Sequence, residues 1–208
     1  MGYEYIVFDF GNTFADLRAG YQSTFSAVFE KFNMDYDPAK VSEYADVPLD
    51  KLFADYHTGC TCRYRDFVTM TLATYERNMF TSARLYGDAP DTLRFLMADG
   101  RRMGIVSRSY EEHIRRILSQ FRIEDMFCSI VGQDRAIMER PNPYSIELCM
   151  REMGAEKHST LVVSSSPLDI ETGKNAGVAT ALLDRDGSID DSCGPDYKLH
   201  SLLELLRL

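Results

Sequence analysis

Short runs of apolar residues alternate with segments of helical pattern along most of this chain. Each run is bounded by polar residues or glycine and is too short for a helix, which is typical of a parallel strand buried on both faces. The runs are Tyr5–Asp9, Met103–Ser107, Ser129–Gly132, Thr160–Ser164 and Val178–Leu183. Strands that alternate with helices predict a protein of the α/β class with a doubly wound parallel sheet.

The segments between these runs carry helix signals of their own. Ser109 with Glu112, and Ser166 with Asp169, have the spacing of capping boxes, in which two side chains bond the first free amides of a helix. Gly177 suits the end of the helix that Ser166 would begin. We predict helices over residues 109–120, 142–153 and 166–177, and a final amphipathic helix over 199–208.

The region between the first and second apolar runs differs from the rest, because it contains no convincing strand. Its apolar residues recur at helical spacing, as in the stripe of Phe25, Val28, Phe29 and Phe32. This pattern predicts an all-helical cap domain inserted after the first strand. We place the α/β core at residues 1–16 and 84–208, and the helical cap at residues 17–83.

Composition and charge limit the function classes. The formal net charge of −9 disfavours binding to nucleic acid or to an anionic membrane surface, since both repel an acidic protein. The first residues lack a basic leader, and no apolar run is long enough to cross a bilayer, so we expect a cytoplasmic protein. Of the five cysteines only Cys60 and Cys62 lie close together, which favours reduced thiols over a zinc site.

Polar side chains stand where several predicted strands end. Asp9, Ser107 and Ser164 occupy such positions. Ligands of doubly wound sheets bind beyond the carboxyl ends of the strands. Four features follow in order along the chain: Asp9-Phe-Gly-Asn-Thr13, then Ser107, then Arg140-Pro-Asn-Pro143, and last the segment from Ser164 to Asp169.

This order resembles the haloacid-dehalogenase-like superfamily, in the branch of phosphoglycolate phosphatases and β-phosphoglucomutases, which carry a helical cap after the first strand. The resemblance implies that Asp9 attacks the substrate as nucleophile and that Ser107 and Arg140 bind the transferred anionic group. It further implies substrate contacts for Asn12, Thr13 and Ser109. The implied substrate is a small anionic, phosphorylated metabolite; the sequence leaves its identity and the oligomeric state open.

The chain departs from the phosphatase pattern at three positions. Gly11 replaces the second aspartate that protonates the leaving group, Arg140 replaces a lysine, and Ser165 replaces a metal-binding aspartate. Because Mg²⁺ normally takes one or two carboxylates, Asp9 and Asp169 with the Gly11 backbone carbonyl predict weak Mg²⁺ binding and no other cofactor. General acid–base catalysis typically contributes about 10²–10⁴-fold, so weak or altered activity is expected.

Other interpretations stay open at this point. Asp9 could cap its own turn, and Ser107, Ser109 and Asp169 could simply cap helices. The departures also fit a non-catalytic pseudo-phosphatase that binds a ligand or a partner. The segment Ser164-Ser165-Ser166-Pro-Leu-Asp169 resembles metal-free 2-haloacid dehalogenases. Arg140 with Gly11 resembles phosphonoacetaldehyde hydrolases, for which Lys51 would have to serve as the cap lysine.

Overall fold

The computed structural model describes residues 2–60 and 62–208, without the side chains of residues 42, 43, 45 and 46. The strands are β1 Tyr5–Phe8, β2 Ala15–Asp16, β3 Arg84–Leu85, β4 Arg102–Val106, β5 Phe127–Val131, β6 Thr160–Ser164, β7 Ala179–Leu183 and β8 Tyr197–Leu199. The α-helices are α1 Arg18–Lys31, α2 Leu49–Tyr56, α3 Tyr64–Ser82, α4 Ala89–Ala98, α5 Glu111–Gln120, α6 Tyr144–Met153 and α7 Pro167–Ala176. Short 3₁₀ helices span Pro38–Asp46, Glu124–Met126, Lys157–Ser159 and Leu202–Arg207.

The chain divides into two compact units. One comprises Met1–Ala15 with Leu85–Leu208, and the other comprises Asp16–Arg84. The short strands β2 and β3 pair at the two points where the chain passes from one unit to the other. The role of the second unit as a cap stays a prediction.

A six-stranded parallel sheet organises the first unit, in the order β5-β4-β1-β6-β7-β8. The predicted α/β fold with a parallel sheet is therefore confirmed. β1 is central, and its residue Phe8 lies between Ile105 of β4 and Val163 of β6. Strands β1, β4 and β6 are almost wholly buried because helices pack against the sheet, which accounts for their apolar sequences.

The capping of two helices around the sheet differs from the sequence prediction, although α7 begins after Ser166 and ends at Gly177 as predicted. α5 starts at Glu111 instead of Ser109, and the carboxylate that accepts the Glu111 amide, at 2.9 Å, belongs to Asp134 in the loop after β5. α7 follows Ser166, whose side chain makes no capping bond. Both predicted capping boxes are therefore wrong. In α5 a carboxylate distant in sequence takes over the capping role, which local spacing does not reveal.

The second unit is helical around an aromatic core of its own. Buried Phe25, Val28 and Phe29 of α1 pack with Phe67 of α3, as the predicted stripe requires. α1 and α3 approach closely at Gly20, where an added Cβ would lie 2.8 Å from the Met79 sulfur. A larger side chain at position 20 would therefore require the Met79 side chain to move, and the Met79 Cα would lie only 3.3 Å from the added Cβ.

Two further findings concern cysteines and membranes. Cys60 and Cys62, expected as free thiols, are joined by a disulfide, whereas Cys128, Cys149 and Cys193 are free. Within residues 2–60 and 62–208, none of the helices combines the length and hydrophobicity that a membrane span requires.

Candidate active site

Asp9 leaves the sheet at the carboxyl end of its central strand. Its amide donates to the carbonyl of Val163 at 3.0 Å, which continues the ladder between β1 and β6 by one residue. Ser164 ends β6 beside it, and Ser107 follows β4 on the other side of β1. Three strand ends therefore present polar side chains at the same edge of the sheet.

Arg140 lies between two carboxylates at this edge. Its Nη1 stands 3.8 Å from Oδ1 of Asp9 and donates a hydrogen bond to Oδ1 of Asp169. All three side chains are largely buried, with exposed fractions of 14% for Asp9, 11% for Arg140 and 7% for Asp169. The structure thus brings together three of the predicted site residues, which lie far apart in the sequence.

Asp169 is oriented by a second hydrogen bond. Ser164 donates its hydroxyl proton to Oδ2 of Asp169 at 2.7 Å and accepts the amide of Ser166 at 3.0 Å. The Asp169 carboxylate therefore binds a serine and a guanidinium at the site. This finding disfavours the interpretation of Asp169 as a plain helix cap.

Thr13 connects the loop after β1, residues 9–14, to the end of β6. Its hydroxyl lies 3.4 Å from Oδ2 of Asp9, as donor, and accepts the Ser165 amide at 3.2 Å. The turn before it is tight, because Asn12 has a left-handed φ of 59° and its amide donates to Ala15 at 2.7 Å. The side-chain oxygen of Asn12 is buried without a hydrogen-bond partner, whereas Thr13 is fully buried and bonded.

Ser107 and Ser109 lie beside this cluster at the end of β4. Both are buried, and the Ser107 hydroxyl accepts the Ser109 amide at 3.2 Å. The Ser107 amide continues the ladder to Val131 of β5 at 3.0 Å. Ser107 is thus held at the end of the strand that neighbours β1, and the anion-binding roles of both serines stay predictions.

Burial dominates the electrostatics of Asp9. The pKa of this carboxyl is raised from 3.8 to about 7, first by burial and next by the negative charge of Asp169. The positive charges of Arg140 and Arg108 and the Phe10 amide partly oppose this shift. Sequence reasoning missed Arg108, although its place directly after Ser107 was a signal for it.

A cavity of about 10 Å³ adjoins the three charged side chains, which is room for about one water molecule. Valines from three strands, Val7, Val106 and Val162, form much of its wall. Charges next to an apolar wall interact more strongly than charges in water. The pairing of Arg140 with the two carboxylates is therefore a central energetic feature of the site.

Comparisons with known proteins identify the scaffold. The sequence model of the haloacid dehalogenase-like hydrolases matches residues 6–183. The chain belongs to this family. The phosphoglycolate phosphatase of Aquifex aeolicus is 26% identical over 98% of this chain and 95% of its own length. The pyrophosphatase PpaX of Halalkalibacterium halodurans is 33% identical over 58% of each chain.

Solved structures of the family share the whole fold. A haloacid dehalogenase-like hydrolase of Bacteroides fragilis superimposes with a TM-score of 0.85, over 98% of this chain and 99% of its own, at 23% identity. Together with the sequence relatives, this likeness shows the phosphatase-type scaffold of the haloacid dehalogenase-like hydrolases. Neither the dehalogenase nor the pseudo-phosphatase alternative is favoured by these comparisons.

Phosphatases of this family typically use Mg²⁺, and the donor set here fits that ion poorly. In the described part of the chain no three His, Cys, Asp or Glu side chains converge as metal ligands. Of the two candidate carboxylates, Asp169 already binds Arg140 and Ser164 through its two oxygens. A divalent cation would have to compete with the Arg140 guanidinium for the Asp169 carboxylate. A tightly held Mg²⁺ therefore does not fit these residues.

Arg140→Met is expected to destabilise the protein by about 3–5 kcal/mol at pH 8, because it leaves two buried carboxylates without their cation. The folded-state pKa of Asp9 is raised, so Asp9 charges as the pH rises through about 7 and is largely protonated at pH 5. The loss should therefore be smaller at pH 5 than at pH 8. Urea unfolding of the wild type and the variant at pH 5 and at pH 8 measures the loss in the free energy of unfolding at each pH.

Arg140→Lys is the matched variant for this measurement. Lysine keeps one positive charge and loses the planar fork, so we expect less than half of the loss seen with methionine. A loss of equal size at pH 5 and pH 8 would show that Arg140 stabilises the fold independently of the Asp9 charge.

Proposed function

We propose that this chain hydrolyses a small anionic phosphate ester or anhydride through a covalent intermediate on Asp9. The proposal depends mainly on one observation: a carboxylate at the end of the central strand faces a buried arginine 3.8 Å away. The phosphatase and pyrophosphatase relatives, which act on small phosphorylated compounds, support this substrate class.

In the first step an oxygen of Asp9 attacks phosphorus. The new oxygen–phosphorus bond forms as the bond to the leaving oxygen breaks, so Asp9 becomes an acyl phosphate. A carboxylate attacks without first losing a proton, provided it is ionised. Arg140 offsets the charge that gathers as the anionic substrate meets Asp9, and the Ser107 hydroxyl and the Ser109 side chain would bind phosphoryl oxygens.

Position 11 provides no acid to protonate the leaving oxygen. Gly11 has no side chain to donate a proton, so the departing anion must be stable itself or take its proton from water. The chain should therefore favour leaving groups of low basicity, such as a phosphate, an acyl or an aryl oxygen. Simple alkyl phosphates should react slowly.

In the second step water attacks phosphorus, the bond to Asp9 breaks, and orthophosphate and the free carboxylate are released. The base that would take the proton of this water in the related phosphatases is also missing at Gly11. The acyl phosphate should therefore persist longer than in an enzyme with both aspartates. We propose that Mg²⁺ binds only weakly near Asp9, Asp169 and the Gly11 carbonyl, and neither step above depends on it.

A panel of phosphorylated compounds tests this function. We expect orthophosphate release from pyrophosphate, acetyl phosphate and p-nitrophenyl phosphate, and slow release from phosphoglycolate and other alkyl esters. Acid quenching during turnover of ³²P-labelled pyrophosphate should leave label on the protein. A chelator should reduce these rates by less than about tenfold, because the donor set holds Mg²⁺ weakly.

Two outcomes would contradict the proposal. No turnover of any panel member, together with thermal stabilisation by orthophosphate, would identify a binding protein on a hydrolase scaffold. Complete loss of activity on chelation would instead show that a metal is essential and that Arg140 does not take its place.

A further inference from the structure

Arg185 makes three contacts beside the loop after β1, residues 9–14, which carries Asp9 and is called the nucleophile loop below. It follows the end of β7 and Asp184, and about a quarter of its side chain is exposed. Its Nη1 donates to Oδ2 of Asp88 at 2.8 Å, and its Nη2 donates to the carbonyl oxygen of Thr13 at 2.9 Å. The guanidinium also lies 4.0 Å from the centre of the Tyr86 ring. All of these residues belong to the first unit.

The partner carboxylate is itself held in place. Oδ2 of Asp88 also accepts the Ser201 hydroxyl and the Leu202 amide, both at 2.8 Å. Burial opposes the ionisation of Asp88, but the bonds from Arg185, Leu202 and Ser201 outweigh it and lower the pKa of this carboxyl. The Arg185 guanidinium is therefore held in one position by the Asp88 carboxylate and by the face of the Tyr86 ring.

The other arm of the fork reaches the residue that contacts the nucleophile. Thr13 accepts Arg185 through its carbonyl, while its hydroxyl bonds Asp9 and the Ser165 amide. The turn just before Thr13 includes the left-handed Asn12, a conformation that asparagine adopts more readily than most other residues with a side chain.

We infer that Arg185 is a positioning residue for the nucleophile. It fixes the backbone of Thr13, and through the Thr13 hydroxyl it fixes the orientation of the Asp9 carboxylate. The expected effect of Arg185 on turnover rests on the proposed function. Its expected effect on the loop rests on the contacts alone. A misaligned nucleophile slows the chemical step more than it weakens substrate binding.

Arg185→Met tests the inference, with Arg135→Met as the matched control. Arg135 also donates to a backbone carbonyl, that of Ile130 at 3.0 Å, and to the carboxylates of Glu152 and Glu111, but it has no described contact with the nucleophile loop. We expect Arg185→Met to lower kcat for p-nitrophenyl phosphate about 10- to 100-fold, from the loss of a charge-assisted hydrogen bond, with KM within about twofold. Arg135→Met should lose comparable stability and keep its kcat.

A double-mutant cycle tests whether Arg185 affects turnover through Thr13. If Arg185 acts through Thr13, Arg185→Met should cost much less in a Thr13→Val background, where the hydroxyl that contacts Asp9 is already missing. Equal costs in both backgrounds would overturn the inference. Arg185→Lys keeps a charge for Asp88 but lacks the planar fork, so it should fold and show an intermediate kcat.

Amide hydrogen exchange provides a readout that needs no turnover. The amides of Asn12 and Ser165 bond within the loop and to Thr13, so their exchange should accelerate about tenfold or more in Arg185→Met and stay unchanged in Arg135→Met. Unchanged exchange in Arg185→Met would overturn the inference even if the wild-type protein is an active phosphatase. Accelerated exchange in a protein that hydrolyses no panel member would refute the proposed function and support the positioning role.

Discussion

Asp9→Asn is expected to reduce hydrolysis of every substrate by about 10⁴-fold or more, because an amide oxygen cannot replace the attacking carboxylate. The fold should survive the change. Burial raises the pKa of Asp9 to about 7, which means that the charged carboxylate is disfavoured where it stands. A neutral isostere avoids that cost, so at pH 8 the variant should unfold at the same temperature as the wild type or above it.

Initial rates and thermal unfolding of the same preparations measure both effects. Asp196→Asn is the matched control, since Asp196 accepts the amide and hydroxyl of Thr180 at 2.8 and 2.9 Å near the amino-terminal end of β7. In a parallel sheet that end is opposite the edge that carries Asp9. The control should keep its activity and lose stability. Substantial turnover by Asp9→Asn would refute the covalent route.

Gly11→Asp is expected to raise kcat/KM for alkyl phosphates by about 10²–10⁴-fold, the usual contribution of a general acid or base. The new carboxyl would protonate the leaving oxygen and later take the proton of the attacking water. p-Nitrophenol leaves readily as an anion, so the gain for its ester should be far smaller. The measurement is kcat/KM of the wild type and of Gly11→Asp, for phosphoglycolate and for p-nitrophenyl phosphate, over a range of pH. It distinguishes the large gain expected for the alkyl ester from the small gain expected for the aryl ester.

Gly11→Asn controls for the size of the new side chain. It fills similar space and cannot exchange a proton, so it should leave the slow alkyl rates unchanged. If asparagine raised the rates as much as aspartate, the effect would be steric. If aspartate raised aryl and alkyl rates equally, leaving-group protonation would not limit this protein.

The hydrophobic pattern predicted the central part of the fold well. β1, β4, β5, β6 and β7 lie on the predicted apolar runs, because strands buried on both faces need apolar residues throughout. The same argument fails for β8, at one edge of the sheet, and for α4. β8 has an exposed Lys198 in its middle, and α4 exposes Phe95 and Met97, so neither element has the pattern of a fully buried segment. The final segment forms a 3₁₀ helix over Leu202–Arg207 where an amphipathic helix was predicted.

The residues alone predicted the site where a residue ends a strand, whereas Arg140 and the metal-binding role of Asp169 came from the family resemblance. Asp9 and Ser107 could be placed at one sheet edge because parallel strands share their carboxyl ends. The contacts of Asp169 with Arg140 and Ser164, and of Arg185 with Thr13, depend on side chains that approach from separate loops. Local spacing in the sequence left both a capping and a metal-binding role open for Asp169 and gave no signal for Arg185.

The pairing of β1 also has a consequence for how the chain reaches its folded state. Tyr5 pairs with Arg102 on one side and with Thr160 on the other, so β1 is synthesised well before both of its neighbours. At a synthesis rate of about 5–20 residues per second, residues 16–84 are all synthesised before either neighbour of β1. That helical segment has its own aromatic core and is expected to fold during this interval. β1 remains unpaired during the same interval and is then prone to aggregation.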